Sequence, residues 1–314
     1  MEQLIFSWGH ARRYNDFPTW FRKYFSERVQ KVSVDAGFTC PNRDGTKGRG
    51  GCSYCNNTTF KPAYCNLENS VTEQLRKGIQ FFERKYSSMR FLAYFQAYTS
   101  TWAPLEDLIP IYEEALKHPK IAGLVISTRP DAVNDELLDY LAQLSKRVYV
   151  MVEFGLESHL NHTLEQVNRG HTFEESVQAL NATAHRGIFN CAHLILGLPG
   201  ENRNDWLEQS RVISKLPVNN LKLHQLQIHK NTLMEKQYRN NPGRFHLFTA
   251  EEYIELVIDY LELLNPKIIV ERFISQAPPE LLVAPRWGLK NFEFVDRIEK
   301  RMRERNTWQG KFFP

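Results

Sequence analysis

The sequence predicts an α/β fold: six parallel βα units curled into a partial (β/α)6 barrel. An N-terminal extension covers 1–28, the core 29–230, and a C-terminal extension packed on that core covers 231–314. Three observations predict it. Apolar runs of six to nine residues recur between longer amphipathic stretches, the alternation that parallel βαβ units require. Most of those runs are nearly continuous in apolar character, as strands covered by helices are. The polar residues able to do chemistry fall where those runs end, and barrels of this kind carry their sites at the C-terminal ends of strands.

The elements follow in order. VQKVSVDA (29–36) alternates with period two and predicts the first strand, followed by a glycine-rich loop. Ser70 with Glu73 three residues on opens a helix over 70–86, the capping-box pattern. FLAYFQA (91–97) predicts a buried strand, 105–118 a helix, and GLVIST (123–128) a third strand. A helix from Asn134 to about 145 leads to VYVMVEFG (148–155). Helical periodicity over 159–167 and 173–186 precedes FNCAHLILG (189–197). A helix over 203–215 leads to the sixth strand, NLKLHQLQI (220–228). Residues 229–248 are polar and turn-rich and predict a loop or linker over one rim. A helix over 249–264, a strand over 267–274 and a helix over 290–305 complete the pattern.

Composition narrows the function. With 42% hydrophobic and 24% charged residues in 314, the chain is globular. It has no apolar run of about 18 residues, so no membrane span is expected. It shows no secretory leader, and a cytoplasmic protein is expected. In that reducing setting clustered cysteines point to metal or redox chemistry rather than disulfides. The net charge of +4 permits nucleic acid without demanding it. Basic residues stand among aromatics near the N-terminus (Arg12, Arg13, Arg22, Lys23, Arg28 and Lys31 with Tyr14, Trp20, Phe21, Tyr24 and Phe25) and cluster at Arg297, Lys300, Arg301, Arg303 and Arg305. Such surfaces suit phosphate contact with base stacking, or equally a solvated helix face with its aromatics turned inward.

CPNRDGTKGRGGCSYC (40–55) holds three of the five cysteines. Cys52 and Cys55 are spaced to share one metal centre, and Cys40 can join them if the eleven-residue loop folds back. Loop closure makes that cheap, at roughly 1 kcal/mol over a three-residue spacer. Three thiolates fit three irons of a four-iron cluster, leaving the fourth open. A structural zinc with Cys65 as fourth ligand and a redox dithiol stand as alternatives. Glu153 is a carboxylate inside an apolar strand, costly to bury unless paired; Arg129 and Lys222 are its candidate partners, and it is the first candidate catalytic group. His224, at the end of the sixth strand, is the second.

These motifs carry a resemblance. With the cysteine loop, FQAYTST (95–101), STRPD (127–131), EFGLES (153–158), NRGHT (168–172) and HLILGLPGE (193–201), the chain resembles the radical S-adenosylmethionine (SAM) superfamily over about residues 29–230. The usual motif has three residues between its first two cysteines. The eleven found here resemble the branch of YtqA/YhcC-like proteins and the elongator-like catalytic subunit. The resemblance implies that Cys40, Cys52 and Cys55 ligate a [4Fe-4S] cluster flanked by Tyr54. It implies that SAM meets Gln96 at its amino group, Arg169 at its carboxylate, Glu157 at the ribose and Ile195 at the adenine. Gly197 would allow backbone approach, and Ser127 stands where some relatives have an acidic residue. It implies a reducing partner such as flavodoxin or ferredoxin. For the branch it implies tRNA as substrate, held at the anticodon stem-loop, with 5-carboxymethylaminomethyluridine at the wobble position converted to 5-aminomethyluridine. A small-molecule or protein substrate, and a zinc-containing RNA-binding protein without catalysis, are the competing readings.

Overall fold

A computed structural model describes residues 5–84 and 89–314. In chain order the elements are α1 (Phe17–Phe21), β1 (Val29–Val34), α2 (Val71–Glu83), β2 (Arg90–Phe95), α3 (Leu105–Leu116), β3 (Ile121–Thr128), α4 (Asp135–Ser145) and β4 (Tyr149–Glu157). Then come α5 (Asn161–Gln166), α6 (Phe173–His185), β5 (Phe189–Leu196), α7 (Arg203–Ser214), β6 (Asn220–Gln225), β7 (Ile228–His229) and α8 (Leu233–Asn240). The chain closes with α9 (Ala250–Leu263), β8 (Ile269–Arg272), β9 (Leu282–Ala284) and α10 (Asn291–Glu304). The last turn expected for the 70–86 helix falls partly outside the described residues.

Seven strands form one curled, wholly parallel sheet in the order β1-β2-β3-β4-β5-β6-β8. The six expected strands are its first six. The seventh comes from the C-terminal stretch and pairs the edge that β6 would otherwise expose, an edge prone to mispairing. Strand residues alternate between faces. One set, including Phe91, Phe95, Leu124, Ile126, Val152, Phe154, Leu194 and Leu221, packs with the helices in the main core. The other set faces the lumen of the half-barrel.

Three regions differ from expectation. The sixth run stops at Gln225; Ile228 and His229 leave the sheet to pair antiparallel with β9. The stretch 229–248 is not only a loop, because α8 forms within it. Thr232 caps α8 by accepting from Glu235 N at 3.0 Å, and Met234 is buried with Leu226, Ile228 and Phe245. The aromatic N-terminus is not an open stacking platform. Asp16 caps α1, and Phe21, with Phe17, Trp20 and Phe25 around it, packs against Leu92, Tyr94, Val125, Met151 and Cys191. These side chains cover the lumen floor, at the end away from the strand C-termini. Lys31, read as part of the same basic patch, points into the lumen instead.

The basic C-terminal helix is also largely neutralised. Arg297 pairs with Glu251, Arg301 with Glu255, Arg303 with Glu299, and Arg305 with Glu255, Asp259 and Glu262. It is a strapped helix face rather than a bare phosphate-binding run.

Candidate active site at the strand ends

The loop after β1 turns back on itself at Gly45, Gly50 and Gly51, whose φ angles of 96°, 82° and 80° only glycine adopts easily. A Cβ on Gly51 would sit 3.0 Å from the Arg43 side chain. Arg43 N and Asp44 N both donate to Cys40 O, at 2.8 and 3.0 Å, and Cys55 N donates to Cys52 O at 3.0 Å. The 168–172 loop holds this one in place. Ser53 N donates to Val167 O at 2.9 Å, and Asn168 Nδ2 to Gly51 O at 2.8 Å. Asn42 Nδ2 reaches Asn168 O and lies 3.7 Å from Cys52 Sγ.

The 127–131 segment locks both loops. Arg129 donates to Arg169 O at 2.7 Å and Gly170 O at 3.0 Å, while Asp131 grips its guanidinium through two bonds of 2.9 Å. Lys47 of the cysteine loop reaches Asp131 at 2.6 Å. Burial raises the Asp131 carboxyl, but Arg129 and Lys47 outweigh it and hold it at about 2. Arg129 is therefore committed to this clamp and is not the partner of Glu153.

These loops open on a cavity that is continuous with solvent. Cys40, Cys52, Tyr54 and Cys55 form one wall. Gln96, Ser127, Glu153, Glu157, Arg169, Ile195 and His224 come to it from six other segments. Gly197 does not line it. Its φ is 99°, and a Cβ there would lie 2.9 Å from Phe248 and 3.2 Å from His246 O. That glycine is needed to pack the C-terminal stretch.

Glu157 enters the cavity through a register shift between Gly155 and Glu157 on β4 and has a φ of 69°. A bulge re-aims a side chain in this way. Arg169 is buried, with Nη2 2.6 Å from Gly155 O, Nη1 3.6 Å from Cys52 Sγ and Glu157 at 3.8 Å. It is no surface residue. A Cβ on Gly155 would lie 2.6 Å from Glu157 and 2.7 Å from Arg169, so that glycine lets the two side chains meet.

The donor set suits a cluster with SAM beside it. Arg169 Nε and the Tyr54 hydroxyl are buried without partners. Burial, then Cys52, push the Cys55 thiol up to about 12, so thiolates packed here call for a cation. Among the described residues, the one set of three or more metal-ligand types with donor atoms all within 4.8 Å is Glu153, Cys191 and His193. The loop cysteines are spread wider than that, and wider than one tetrahedral zinc ion draws its ligands. Cys65 lies apart, donating to Ser33 O at 3.1 Å, and does not serve as their fourth ligand.

Below this wall lies a charged lumen. Glu153 is fully buried. Lys222 Nζ lies 2.7 Å from both its oxygens, and Lys31 Nζ 2.7 Å from Oε1. Tyr94 and Ser127 donate to Oε2 at 2.6 and 3.1 Å, and His193 Nε2 is 3.0 Å away. Burial raises the Glu153 carboxyl, but Lys222 and Lys31 more than offset it and hold it well below the usual range. A carboxylate so fully engaged is a fixed counter-charge rather than a free base. It is also closed to a metal, because two ammonium groups already occupy it. Burial and the neighbouring His193 hold the His224 imidazole neutral, and its Nε2 is buried without a partner. Sequence reasoning missed Lys31 and Tyr94. Both share lumen parity with Ser33 and Gln96, which was the signal that could have found them.

The comparisons agree with this architecture. The family model "Radical SAM superfamily" matches residues 42–209, and the "Radical_SAM C-terminal domain" matches residues 218–304. The uncharacterized protein YtqA of Bacillus subtilis is 36% identical over 96% of this chain and 93% of its own length. YhcC of Escherichia coli is 36% identical over 89% of each chain. A tRNA uridine(34) acetyltransferase of Methanocaldococcus infernus is 26% identical over 64% of this chain but 36% of its own. The solved Methanocaldococcus infernus Elp3 superposes with a TM-score of 0.68 at 18% identity, over 90% of this chain and 64% of that one. That last likeness is one of fold. Among the described residues no helix is long and apolar enough to cross a membrane.

Proposed function

The chain belongs to the radical SAM superfamily, and from that premise we propose that it modifies the wobble uridine of tRNA, taking 5-carboxymethylaminomethyluridine to 5-aminomethyluridine. The observation that carries the catalytic part is the single cavity on which Cys40, Cys52 and Cys55 meet Glu157, Arg169 and the lumen network. Similarity to a tRNA uridine(34) acetyltransferase supports the substrate.

When bound, the four-iron cluster and SAM supply a 5′-deoxyadenosyl radical that removes a hydrogen atom from the substrate. The chain's own residues hold and orient. Cys40, Cys52 and Cys55 would ligate the cluster, with Tyr54 beside it. Arg169 would meet the SAM carboxylate, the pairing for which a guanidinium is shaped. Glu157 would accept from the ribose hydroxyls, Gln96 would accept from the amino group, and Ile195 would pack on adenine. Ser127, hydrogen-bonded to Glu153, marks the passage from the SAM end to the lumen. His224 is the neutral imidazole facing the substrate, and Glu153 fixes the charge around it. The C–H beside the secondary amine is activated: loss of that hydrogen atom, and of one further electron passed back to the reducing partner, would leave an iminium that water hydrolyses, so the C–N bond breaks, the nitrogen stays on the uridine as the aminomethyl group, and the two carbons depart as glyoxylate. The electron comes from a reducing partner of the flavodoxin or ferredoxin kind.

The test is anaerobic turnover with dithionite, SAM and tRNA from cells lacking this gene, with digested nucleosides and 5′-deoxyadenosine followed by mass spectrometry. Carboxymethylaminomethyluridine should fall as aminomethyluridine rises. Deoxyadenosine without any nucleoside change would remove the tRNA assignment and leave the radical chemistry.

A further inference from the structure

The lumen charge does not balance. Lys31 and Lys222 face Glu153 and Glu271, two cations against two carboxylates, at distances of 2.7 to 3.2 Å plus the short Lys31–Glu271 pair. Both imidazoles beside them are neutral: burial and then Lys222 lower His193, as burial and His193 lower His224. Burial also keeps the Cys191 thiol protonated. Arg272 is then left over. It has no carboxylate within ion-pair distance among the described residues, and it lowers the ionisation of His224 and Lys222 by its own charge.

Its position is built by the strand. Between Leu221 and Lys222 the β6–β8 register shifts, so that Lys222 pairs with Arg272. Two successive residues of β8, Glu271 and Arg272, thus serve the same space. Glu271 holds both lysines through Oε1, while its Oε2 is buried without a partner and lies outside ion-pair distance of Arg272. Arg272 lines the main cavity and also a side groove between the two edge strands, with Tyr94 and Gln96 shared by both. Beyond it on the same cavity stands His224, its Nε2 buried and unpartnered. A half-buried guanidinium without a counter-ion costs free energy, and a ligand anion would remove that cost.

We propose that Arg272, assisted by His224 Nε2, is the receptor for an anionic group of the substrate, and that this group is a carboxylate on the reacting side chain rather than a backbone phosphate. One surplus cation balances one carboxylate, and the guanidinium fork binds it bidentately. Arg272 lies at the junction of groove and lumen, where a slender substituent reaches and a phosphate would have to bring the RNA backbone with it. The inference takes the substrate's identity from the tRNA reading above, but the need for an anion from the charge count alone.

Two anticodon stem-loops, identical except for 5-carboxymethylaminomethyl or 5-aminomethyl at the wobble uridine, separate the possibilities. Binding is measured by fluorescence anisotropy on reconstituted protein with SAM present. The unaltered protein should prefer the carboxymethylaminomethyl loop by about 10- to 100-fold. Arg272→Gln should abolish that preference while leaving affinity for the aminomethyl loop unchanged, which also shows that the variant is folded. Arg272→Lys should keep part of it. A preference that survives Arg272→Gln overturns the proposal, and so does an equal weakening of both loops, which would mark a phosphate interaction. If the unaltered protein binds neither loop, the tRNA reading fails separately. The receptor is then read with N-methylglycine by saturation-transfer NMR. A transfer signal that the unaltered protein gives and Arg272→Gln does not sustains the receptor. A signal missing from the unaltered protein, or equal in the two, overturns it.

Discussion

The two ends of the lumen are built from the same strands, yet one is apolar and covered by aromatic side chains and the other is polar and open. Two residues along each strand make the difference. Tyr94 gives way to Gln96, Val125 to Ser127, Met151 to Glu153, and Cys191 to His193. At the floor, Phe21 and its aromatic neighbours meet Leu92, Val125 and Met151. At the mouth, loops too long to be mere connectors fold over the polar ring. The contrast teaches that the fold's stability and its chemistry sit at opposite ends of one sheet, joined by the Glu153 network midway.

Four substitutions can break or sharpen that contrast. The largest effect is expected at the mouth. Cys55→Ala should abolish reductive SAM cleavage and lower iron content, with thermal unfolding little changed, as measured by deoxyadenosine yield and calorimetry. Next is the midpoint. Glu153→Ala leaves Lys222 and Lys31 without their counter-charge, so unfolding free energy should fall by about 3–5 kcal/mol in denaturant titration. Because the Glu153 carboxyl is held low in the folded state, its contribution is present above the unfolded value of about 4.3 and is lost as pH falls through the folded one. The acid limb of the stability profile should therefore flatten in the variant. At the floor, Phe21→Ala should cost about 3 kcal/mol and leave SAM affinity unaltered. The smallest effect is expected on α10. Arg303→Ala should change neither tRNA affinity nor its salt slope, since that side chain is paired with Glu299; a slope lower by about 1 would reveal a phosphate interaction.

Much of the mouth was legible in the sequence because its chemistry is local. The cysteine spacing, the glycines that turn the loop, and the polar residues closing each strand can be read without knowing what they touch. Arg129 was misread because its partners, Arg169 O and Gly170 O, are forty residues away. The packing reason for Gly197 was not legible because Phe248 crowds it from a distant segment. The aromatic N-terminus was ambiguous for the same reason, since its apolar partners lie on β2 to β5. The helix α8 did carry a signal, Thr232 with Glu235 three residues on, but it was outweighed by Asn231, Pro242 and Gly243 at its flanks. Arg272 was invisible as a site. Only when the lysines and carboxylates of four strands are brought together does one charge remain uncancelled.

The claim that radical chemistry starts at the cysteine wall is tested most directly by electron paramagnetic resonance of the reduced, reconstituted protein, with and without SAM. The account predicts a four-iron signal that changes on adding SAM, is missing in Cys55→Ala, and persists in Phe21→Ala. A colourless protein carrying one zinc, or an iron signal indifferent to SAM and to Cys55, would contradict it.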